Sequence, residues 1–289
     1  MAGHAAMTLS RVQTPYPHWL FRAPNGDQFQ VVPERGGLIT GWRSGGQERL
    51  YFDAERFADP SKSVRGGIPV LFPVCGNVPG NQLVLPQGSF PMAQHGFARD
   101  LPWQLTELDS GDGVCLQLSD SPETRAAYPF GFALSLEVQL EPQALAIRAV
   151  VEHLGPSDSA MPFAFGLHPY FQVESLAEAR VDGLPLRCFD HLSAAEAATA
   201  DQLARLEQGV DLRLDLQPPQ DPAPRLTTGS GVVVELEMEP PFAHAVVWSD
   251  PPRPMLCLEP WSARRGELGL ELEPGQRAEL RCRYVLSPA

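Results

Sequence analysis

Two side chains that transfer protons lie in otherwise apolar segments of the chain. His168 lies in the aromatic stretch 163–171, and Glu259 interrupts the apolar run 255–261. An imidazole titrates near neutral pH, and burial raises the pKa of a carboxyl group and makes its anion a better base. A buried structural histidine, or a glutamate at a solvent-exposed strand end, would give the same pattern. Together the two residues could supply a general acid and a general base.

Groups that can bind hydroxyls and anions occur in two glycine-containing segments. Arg65 opens residues 65–73, where two glycines permit sharp turns and two prolines restrict the backbone. Gln94, His95 and Arg99 lie within six residues of one another, around a glycine. An amide, an imidazole and a guanidinium can hydrogen-bond hydroxyls and oxyanions. A solvated surface arginine and a histidine paired with the backbone are the plainer interpretations.

Motifs of several other enzyme classes are absent from the sequence. It contains no GxGxxG, GxxxxGK[ST], HExxH or GxSxG segment, and its remaining histidines have no metal-ligand spacing, so no metal is expected. A retaining glycosidase needs paired carboxylates, and candidates beside Glu259, such as Asp250, lie in turn-like contexts. An odd number of dispersed cysteines without CxxC indicates reduced thiols rather than a disulfide framework: Cys75, Cys115, Cys188, Cys257 and Cys282.

The composition is that of a globular protein with a sizeable core. Of 289 residues, 43% are hydrophobic and 20% are charged. We predict one domain over residues 1–289, with a loosely ordered N-terminus of about 20 residues. The formal charge is 22 − 35 = −13 without a basic run, which disfavours nucleic acid and anionic membranes as partners. No segment has the length of a membrane span or a signal-peptide core, so a cytoplasmic location is expected.

Apolar residues recur at every second position in much of the chain, which is typical of strands with one buried face. The alternation is clear in residues 134–140, 145–151, 232–238 and 280–286, and shorter runs occur at 29–32, 114–118, 245–248 and 255–259. Glycine and proline (25 and 30 residues) favour many tight turns. These features predict an all-β protein of antiparallel sheets, as a sandwich or a barrel.

Helical signals are few. The alanine-rich residues 193–208 predict one surface helix, and Ser121 with Pro122 predicts a short capped helix that runs to about Tyr128. Residues 218–224 (PPQDPAP) predict a loop within the same domain, because strand patterns continue on both sides. The segments with candidate chemistry must therefore be positioned mainly by strands and turns.

Taken in order, these segments resemble the aldose 1-epimerase (galactose mutarotase-like) superfamily, and most closely its hexose-6-phosphate mutarotase branch. The resemblance extends over most of the chain, residues 31–284. It is carried by the order and spacing of Gly-Gly at 36–37, RGGIPVLFP from Arg65, QHGFAR from Gln94, SPETRAAYPFGFAL from Ser121, GLHPYF from Gly166 and LEPW from Leu258.

The resemblance implies an antiparallel β-sandwich of the supersandwich type with few short helices and a sugar bound on a concave sheet face. It also implies interconversion of the α and β anomers of a sugar or sugar phosphate, without a cofactor. His168 and Glu259 correspond to the catalytic pair. The implied substrate-binding residues are Arg65, Gln94 and Arg99 for the phosphate, His95 for the sugar, and Asp211 in a segment that departs from the family's Asp-Arg-aromatic pattern.

Mutarotation needs a base for the C1 hydroxyl proton and an acid for the ring oxygen. Our hypothesis assigns Glu259 as the base and His168, protonated in the Michaelis complex, as the acid. The alternatives are a mutarotase of free galactose or glucose, a non-catalytic carbohydrate-binding or regulatory module, and a glycoside hydrolase with a second carboxylate. We expect a monomer or a weak dimer.

Overall fold

Short strands joined by turns make up most of the structure. The computed structural model describes residues 7–155, 159–219 and 221–289. The strands in chain order are β1 (Thr8–Val12), β2 (His18–Arg22), β3 (Gln28–Val32), β4 (Leu38–Ser44), β5 (Gln47–Glu48), β6 (Val70–Leu71), β7 (Gln82–Leu85), β8 (Gly88–Pro91), β9 (Gln104–Glu107), β10 (Gly113–Ser119), β11 (Phe132–Glu141), β12 (Ala144–His153), β13 (Met161–Phe163), β14 (Gly166–Leu167), β15 (Tyr170–Gln172), β16 (Arg180–Asp182), β17 (Arg187–Asp190), β18 (Ala195–Ala198), β19 (Val210–Asp215), β20 (Arg225–Thr227), β21 (Val232–Met238), β22 (His244–Ser249), β23 (Met255–Trp261), β24 (Leu270–Leu272) and β25 (Arg277–Pro288). The helices are α1 (Ala54–Phe57), α2 (Pro122–Ala127) and α3 (Thr199–Leu203), and 3₁₀ turns lie at Pro79–Asn81 and Leu206–Gln208.

Two eight-stranded sheets contain most of these strands. In sheet I the strand order is β16-β20-β21-β25-β12-β11-β10-β9. In sheet II the order is β18-β17-β19-β22-β23-β14-β6, and β15 is the eighth strand, paired with β23. Neighbouring strands are antiparallel in both sheets. Sheet II contains Asp211 in β19 and Glu259 in β23, and His168 lies between its strands β14 and β15.

The two sheets pack together around one hydrophobic core. Buried and half-buried residues alternate along the whole of β11, as its sequence period predicts. Leu136 of β11 belongs to the same buried cluster as Leu212 and Leu258 of sheet II. The rings of Phe171 and Tyr284, one from each sheet, lie edge to face with centroids 5.2 Å apart. The predicted antiparallel β-sandwich is confirmed.

A third sheet, β1-β2-β3-β4-β5, is formed by the N-terminal part of the chain. Phe21 and Phe29 stack with ring centroids 5.0 Å apart and join the main core. Residues 1–6 lie outside the described residues. After these residues, β1 pairs with β2 through five residues on each strand. The single domain over residues 1–289 and the loosely ordered N-terminus stay predictions.

The predicted strands are confirmed, and one of the two helix predictions is corrected. Each of the eight predicted segments coincides with a strand: β3, β10, β11, β12, β21, β22, β23 and β25. Helix α2 is capped by Ser121, which accepts a hydrogen bond from the backbone of Thr124, and its C-cap residue is Tyr128. Residues 193–208 do not form one helix but contain β18, α3 and a 3₁₀ turn. Pairing of β18 with β17 overrides the helix propensity of alanine.

The proline-rich segment joins two strands of different sheets. It lies between β19 of sheet II and β20 of sheet I, and its described residues 218–219 and 221–224 are in neither helix nor strand. The loop prediction is confirmed for these residues, and residue 220 lies outside the described part. None of the described helices has the length and hydrophobicity needed to span a membrane.

Candidate active site

The pairing of β14 and β15 with β23 brings His168 and Glu259 together. The partners that flank these two residues in the antiparallel register are Gly166–Trp261 and Tyr170–Cys257. The residue midway along one segment is His168, and the residue midway along the other is Glu259. Their side chains meet, with His168 Nε2 3.4 Å from Glu259 Oε1. Strand register therefore joins two groups that are far apart in the sequence.

Glu259 lies inside a buried strand. Its exposed fraction is 1%, and every residue of β23 is buried, including the two residues after Glu259. Trp261 Nε1 donates a hydrogen bond to Glu259 Oε2 at 3.0 Å, while Oε1 faces His168. The alternative of a strand end in solvent is therefore wrong. A buried ionised carboxyl is costly unless it is paired, so burial favours the protonated form of Glu259, while the Trp261 hydrogen bond favours the anion.

Burial shifts both pKa values of the pair towards the uncharged forms. Withdrawal from water raises the pKa of Glu259 well above its usual range, and the hydrogen bond from Trp261 offsets part of this rise. Burial lowers the pKa of His168 to about 3, and the charge of Arg99 adds to the lowering. Both shifts favour the arrangement with the proton on the carboxyl and a neutral imidazole. Because burial and the charge of Arg99 disfavour a protonated His168, the bound substrate would have to raise the pKa of this imidazole for it to act as an acid.

His95 is positioned as a neutral hydrogen-bond donor. The Gly76 N–H donates to His95 Nδ1 at 3.0 Å, so a neutral ring carries its proton on Nε2. Burial lowers the pKa of His95 well below its usual range, and the charges of Arg99 and Arg265 act in the same direction. The centroids of the two imidazole rings are 5.6 Å apart. His95 adopts a φ of 67°, which few non-glycine residues do, and this turn directs the QHGFAR segment.

The glycines after Arg65 allow this segment to pass close to neighbouring backbone. Gly67 has a φ of 69°, and a Cβ there would lie 2.2 Å from the carbonyl oxygen of Ile39. The segment then runs beside the histidine segment, and the His168 N–H donates to the Pro69 carbonyl at 3.0 Å. The interpretation of this segment as a rigid turn is confirmed, and it fixes the backbone from which Arg65 projects.

Two partly buried guanidinium groups face the pair. The guanidinium of Arg65 lies 5.8 Å from the ring centroid of Trp248, and its Nε is 3.7 Å from Asp250 Oδ2. Arg99 Nη2 donates to the Gln94 carbonyl at 2.8 Å. Burial lowers the pKa of Arg99, and the charge of Arg65 contributes to the lowering. Asp250 and Asp100 lie 3.7 and 3.8 Å from the two guanidinium groups and offset part of their charge, and the remaining positive potential favours binding of an anion.

Arg265 is a residue of this site that the sequence analysis missed. Its Nη2 donates to both carboxylate oxygens of Asp211, at 2.9 and 2.7 Å. Its aliphatic part packs on Gly76, where a Cβ would lie 2.4 Å from Arg265 Cγ. In the sequence nothing distinguishes Arg265 from its neighbour Arg264, which forms a surface ion pair with Asp215. The salt bridge holds Asp211 at the wall of the site.

One cavity of about 120 Å³ collects all seven predicted site residues: Arg65, Gln94, His95, Arg99, His168, Asp211 and Glu259. Its other lining residues are Ser63, Tyr170, Val246, Trp248, Trp261 and Arg265. A larger cleft of about 770 Å³ lies against sheet I. Among the described residues that cleft has no histidine, and its arginines Arg148 and Arg283 form ion pairs with Glu279 and Glu237. The smaller cavity is therefore the one that brings together the imidazole, the buried carboxyl and the two arginines.

The described residues also include one close group of potential metal donors. A ring nitrogen of His168, the Sγ of Cys257 and a carboxylate oxygen of Glu259 lie within 4.8 Å of one another. Cys257 and Glu259 are two positions apart in β23 and so face the same side of the sheet. Burial raises the pKa of Cys257 well above its usual range, which keeps the thiol protonated.

Comparison with known proteins places this geometry in a family. The sequence profile described as Aldose 1-epimerase matches residues 21–285. The chain belongs to the aldose 1-epimerase family. This confirms the family to which the sequence motifs point.

Several relatives of this aldose 1-epimerase family member carry related names. "Putative glucose-6-phosphate 1-epimerase" proteins of Cenchrus ciliaris and Escherichia coli K12 are each 30% identical, over 57% and 56% of the chain. The chain spans about half the length of these relatives, 50% and 51%. The crystal structure of the Slr1438 protein from Synechocystis is 34% identical, covers 91% of this chain and 92% of its own, and has a TM-score of 0.85. A galactose 1-epimerase structure from Lactobacillus acidophilus shares the fold at 14% identity, with a TM-score of 0.76 over 98% of this chain and 100% of its own.

The glycoside hydrolase alternative is disfavoured for this epimerase family member. A second carboxylate, Asp211, does line the cavity with Glu259. Both of its oxygens, however, accept hydrogen bonds from Arg265. A hydrolase of two carboxyls needs both groups free to act at the scissile bond. The groups placed together for proton transfer are one imidazole and one carboxyl.

Proposed function

We propose that the protein is an isomerase that interconverts the α and β anomers of an aldohexose 6-phosphate. The observation that carries this proposal is the His168–Glu259 pair, 3.4 Å apart at the wall of a cavity that also contains two arginines. Two groups this close can act on two oxygens bonded to the same carbon. In a hexose these are the O1 hydroxyl and the ring oxygen, O5, both attached to C1.

Ring opening moves two protons and breaks one bond. The Glu259 carboxylate takes the O1 proton, C1–O1 becomes a carbonyl, and the C1–O5 bond breaks with its electron pair on O5. The His168 imidazolium then protonates O5. Rotation about C1–C2 presents the other face of the aldehyde, and reclosure reverses both roles. Each general acid or base typically contributes about 10²–10⁴-fold to such a reaction.

The proton count of the pair stays constant through this sequence. Before ring opening the proton is on His168, and after it the proton is on Glu259. The uncharged arrangement that burial favours therefore corresponds to the open-chain intermediate. The cyclic substrate requires the opposite, ionised arrangement, whose formation needs a source of stabilisation.

The phosphate of the substrate supplies that stabilisation. The charges of Arg99 and Arg65 are among the causes that lower the pKa of His168. A phosphate dianion bound to these arginines offsets their positive potential, and the pKa of the imidazole rises. Phosphate therefore positions the sugar and also favours the proton on His168.

Binding of an anion by an acidic protein is consistent with these local charges. The net charge of −13 repels a sugar phosphate at long range, but salt screens that repulsion beyond about 8–10 Å. At contact, charge-assisted hydrogen bonds are about twice as strong as neutral ones. The names of the Cenchrus and E. coli relatives also support a 6-phosphate. Free glucose or galactose is the second candidate substrate.

The proposal is tested by the rate of α/β exchange in glucose 6-phosphate and in glucose, measured by NMR exchange spectroscopy with a protein-free control. We expect catalysis of both sugars, with the higher kcat/KM for the phosphate. Arg65→Ala should lower kcat/KM for glucose 6-phosphate about 10–100-fold, the loss of one charge-assisted contact, and should change glucose exchange much less. Arg264→Ala removes a nearby charge that does not line the cavity.

Exchange no faster than in buffer for either sugar would refute the isomerase and leave a sugar-binding module. An equal effect of Arg65→Ala on both sugars would remove the phosphate contact from the proposal but keep the isomerase. An equal loss in Arg264→Ala would show that only the general electrostatic potential matters.

A further inference from the structure

The thiol of Cys257 lies beside the acid–base pair and has no role in the epimerase reaction. We propose that His168, Cys257 and Glu259 form a binding site for one divalent cation of the zinc type, and that occupancy of this site inhibits the protein. Binding of the cation is independent of the proposed function, and only its inhibitory consequence rests on that function.

The donor set is arranged by the same strand register that forms the pair. The cross-strand partner of Cys257 is Tyr170, two residues after His168, and Glu259 is two residues after Cys257. The nitrogen, sulfur and oxygen donors lie within 4.8 Å of one another. Zinc bonds of about 2.0–2.3 Å place neighbouring ligand atoms about 3.3–3.8 Å apart, so the 3.4 Å between His168 and Glu259 already fits. A small movement of the Cys257 side chain brings in the sulfur.

The composition of the site favours a borderline or soft metal. One imidazole, one thiolate and one carboxylate are the three ligand types that zinc uses in proteins. The Sγ of Cys257 is also 4.0 Å from the thioether sulfur of Met255, on the same face of β23. Magnesium and calcium prefer sets of oxygen ligands, which this group does not offer. Three protein ligands leave a fourth position for water or a substrate oxygen.

Charge balance explains why a divalent cation is tolerated at this depth. Without metal, the thiol is protonated and the pair carries one proton, so the three side chains are neutral together. Binding of M²⁺ releases the thiol proton and the proton of the pair, and the complex of M²⁺ with one thiolate and one carboxylate is again neutral. Burial penalises net charge, so a neutral complex avoids most of that cost.

Occupancy removes both catalytic groups at once. A metal-bound carboxylate is a much weaker base, and a metal-bound imidazole nitrogen cannot carry the proton that O5 needs. The release of two protons also makes binding pH-dependent. The apparent Kd should tighten by up to about 100-fold per pH unit while both groups are protonated in the free protein, because each released proton contributes a factor of 10.

Binding is tested without reference to activity. Co²⁺ added to the full chain should give a 1:1 complex with a thiolate-to-cobalt charge-transfer band, and calorimetry with Zn²⁺ in two buffers of different ionisation enthalpy should show release of about two protons. Cys257→Ser should lose the band and weaken Zn²⁺ binding at least about 10-fold, since one of three ligands is lost. Cys115→Ser, which removes the most exposed thiol, is the matched control and should bind as the wild type does.

Inhibition is tested by α/β exchange with increasing Zn²⁺. Wild type and Cys115→Ser should be inhibited in parallel with calorimetric occupancy, and Cys257→Ser should resist at least about 10-fold higher Zn²⁺. Cadmium-113 NMR of the wild-type protein gives an independent reading, because its chemical shift reports sulfur ligation, and it serves if the Cys257 variant does not fold.

The outcomes separate the two proposals. A cobalt band and zinc binding in a protein without exchange activity would support the metal site and refute the isomerase. Absence of the band, absence of a sulfur-ligated cadmium signal, or zinc binding by Cys257→Ser equal to that of the wild type would overturn the metal site, whatever the activity.

Discussion

Glu259 in sheet II and Glu279 in sheet I are both strand glutamates, but their environments differ in exposure and in the presence of a bound cation. Glu259 is 1% exposed, its carboxyl accepts from one indole N–H, and burial raises its pKa well above the usual range. Glu279 is partly exposed, and Arg148 binds both of its oxygens, at 2.7 and 2.9 Å. That contact lowers the pKa of Glu279 to about 2.

The difference between these two carboxyls lies in whether a cation compensates the loss of water. Glu279 gained a guanidinium on the outer face of sheet I and became a permanent anion. Glu259 lost its water without gaining a fixed cation, so its proton can move at moderate cost. An ion pair with an arginine stabilises a carboxylate locally but makes it a poorer group for proton transfer. Glu259 in sheet II has no such ion pair with an arginine.

The largest expected effect separates the two glutamates. Glu259→Gln should lower kcat for anomer exchange about 10²–10⁴-fold, because the amide cannot accept the O1 proton, while the fold is retained. Glu279→Gln should leave kcat unchanged within about twofold, because Glu279 does not line the cavity. NMR exchange rates for both variants, with circular dichroism as the folding control, measure the contrast. Near-normal exchange by Glu259→Gln would refute its role as the base.

The second prediction concerns the hydrogen bond that Trp261 donates to Glu259. Trp261→Phe removes the donor that holds the pKa of Glu259 down, so that pKa should rise further. Because the base form then appears at higher pH, the acid limb of the kcat profile should move to higher pH. The lost bond to a charged acceptor should also lower kcat about 10-fold near neutral pH. A pH–rate profile checks this; an unmoved acid limb would contradict the assignment of that limb to Glu259.

Phosphate should act on the other member of the pair. The pKa of His168 is lowered to about 3 by burial and by nearby arginines. Inorganic phosphate bound at Arg65 and Arg99 should shift this pKa upward, while chloride at equal ionic strength should not. Nitrogen-15 NMR of the imidazole, assigned with His168→Gln, follows the titration. A pKa independent of phosphate would separate anion binding from protonation of His168.

The smallest effect is expected at Glu279 and concerns stability alone. Its folded pKa of about 2 lies below the unfolded value near 4.3, so its ion pair stabilises the fold above about pH 4 and loses this effect as the pH falls through about 2. Glu279→Gln should therefore cost less than about 1 kcal/mol at pH 7, as surface pairs do, and still less at pH 3. Urea unfolding at both pH values measures this, and a larger cost at the lower pH would reverse the sign of the prediction.

Much of the fold could be predicted because it repeats a simple period. The alternation in β11, β12, β21 and β25 is visible in the sequence, since each strand buries one face. The helix predicted for the alanine-rich residues 193–208 was wrong, because pairing of β18 with β17 outweighs the local helix preference of alanine. Burial on both faces of β23 hides its true end, so the extension to Trp261 could not be predicted.

The site residues that lie in recognisable sequence motifs could be predicted from the sequence. Each of the motifs RGGIP, QHGFAR, GLHPYF and LEPW contributes at least one residue to one cavity, and Asp211 lies with them despite its poor match. Arg265 lies in none of these motifs and could not be predicted, because its contact with Asp211 depends on tertiary geometry alone. The pKa directions of His168 and Glu259 likewise depend on burial, which one sequence does not display.

The position of Glu259 inside a fully buried strand makes the site sensitive to insertions and deletions in β23. Side chains alternate between the two faces of a strand, so inserting or deleting one codon within β23 would rotate Glu259 into the apolar interior and bring Leu258 or its neighbour to the cavity. Substitutions at the rim can alter which sugar is held, but length changes in this strand abolish the chemistry altogether. We expect natural variation in substrate preference to accumulate in the turns around the cavity, with the spacing of β23 held fixed.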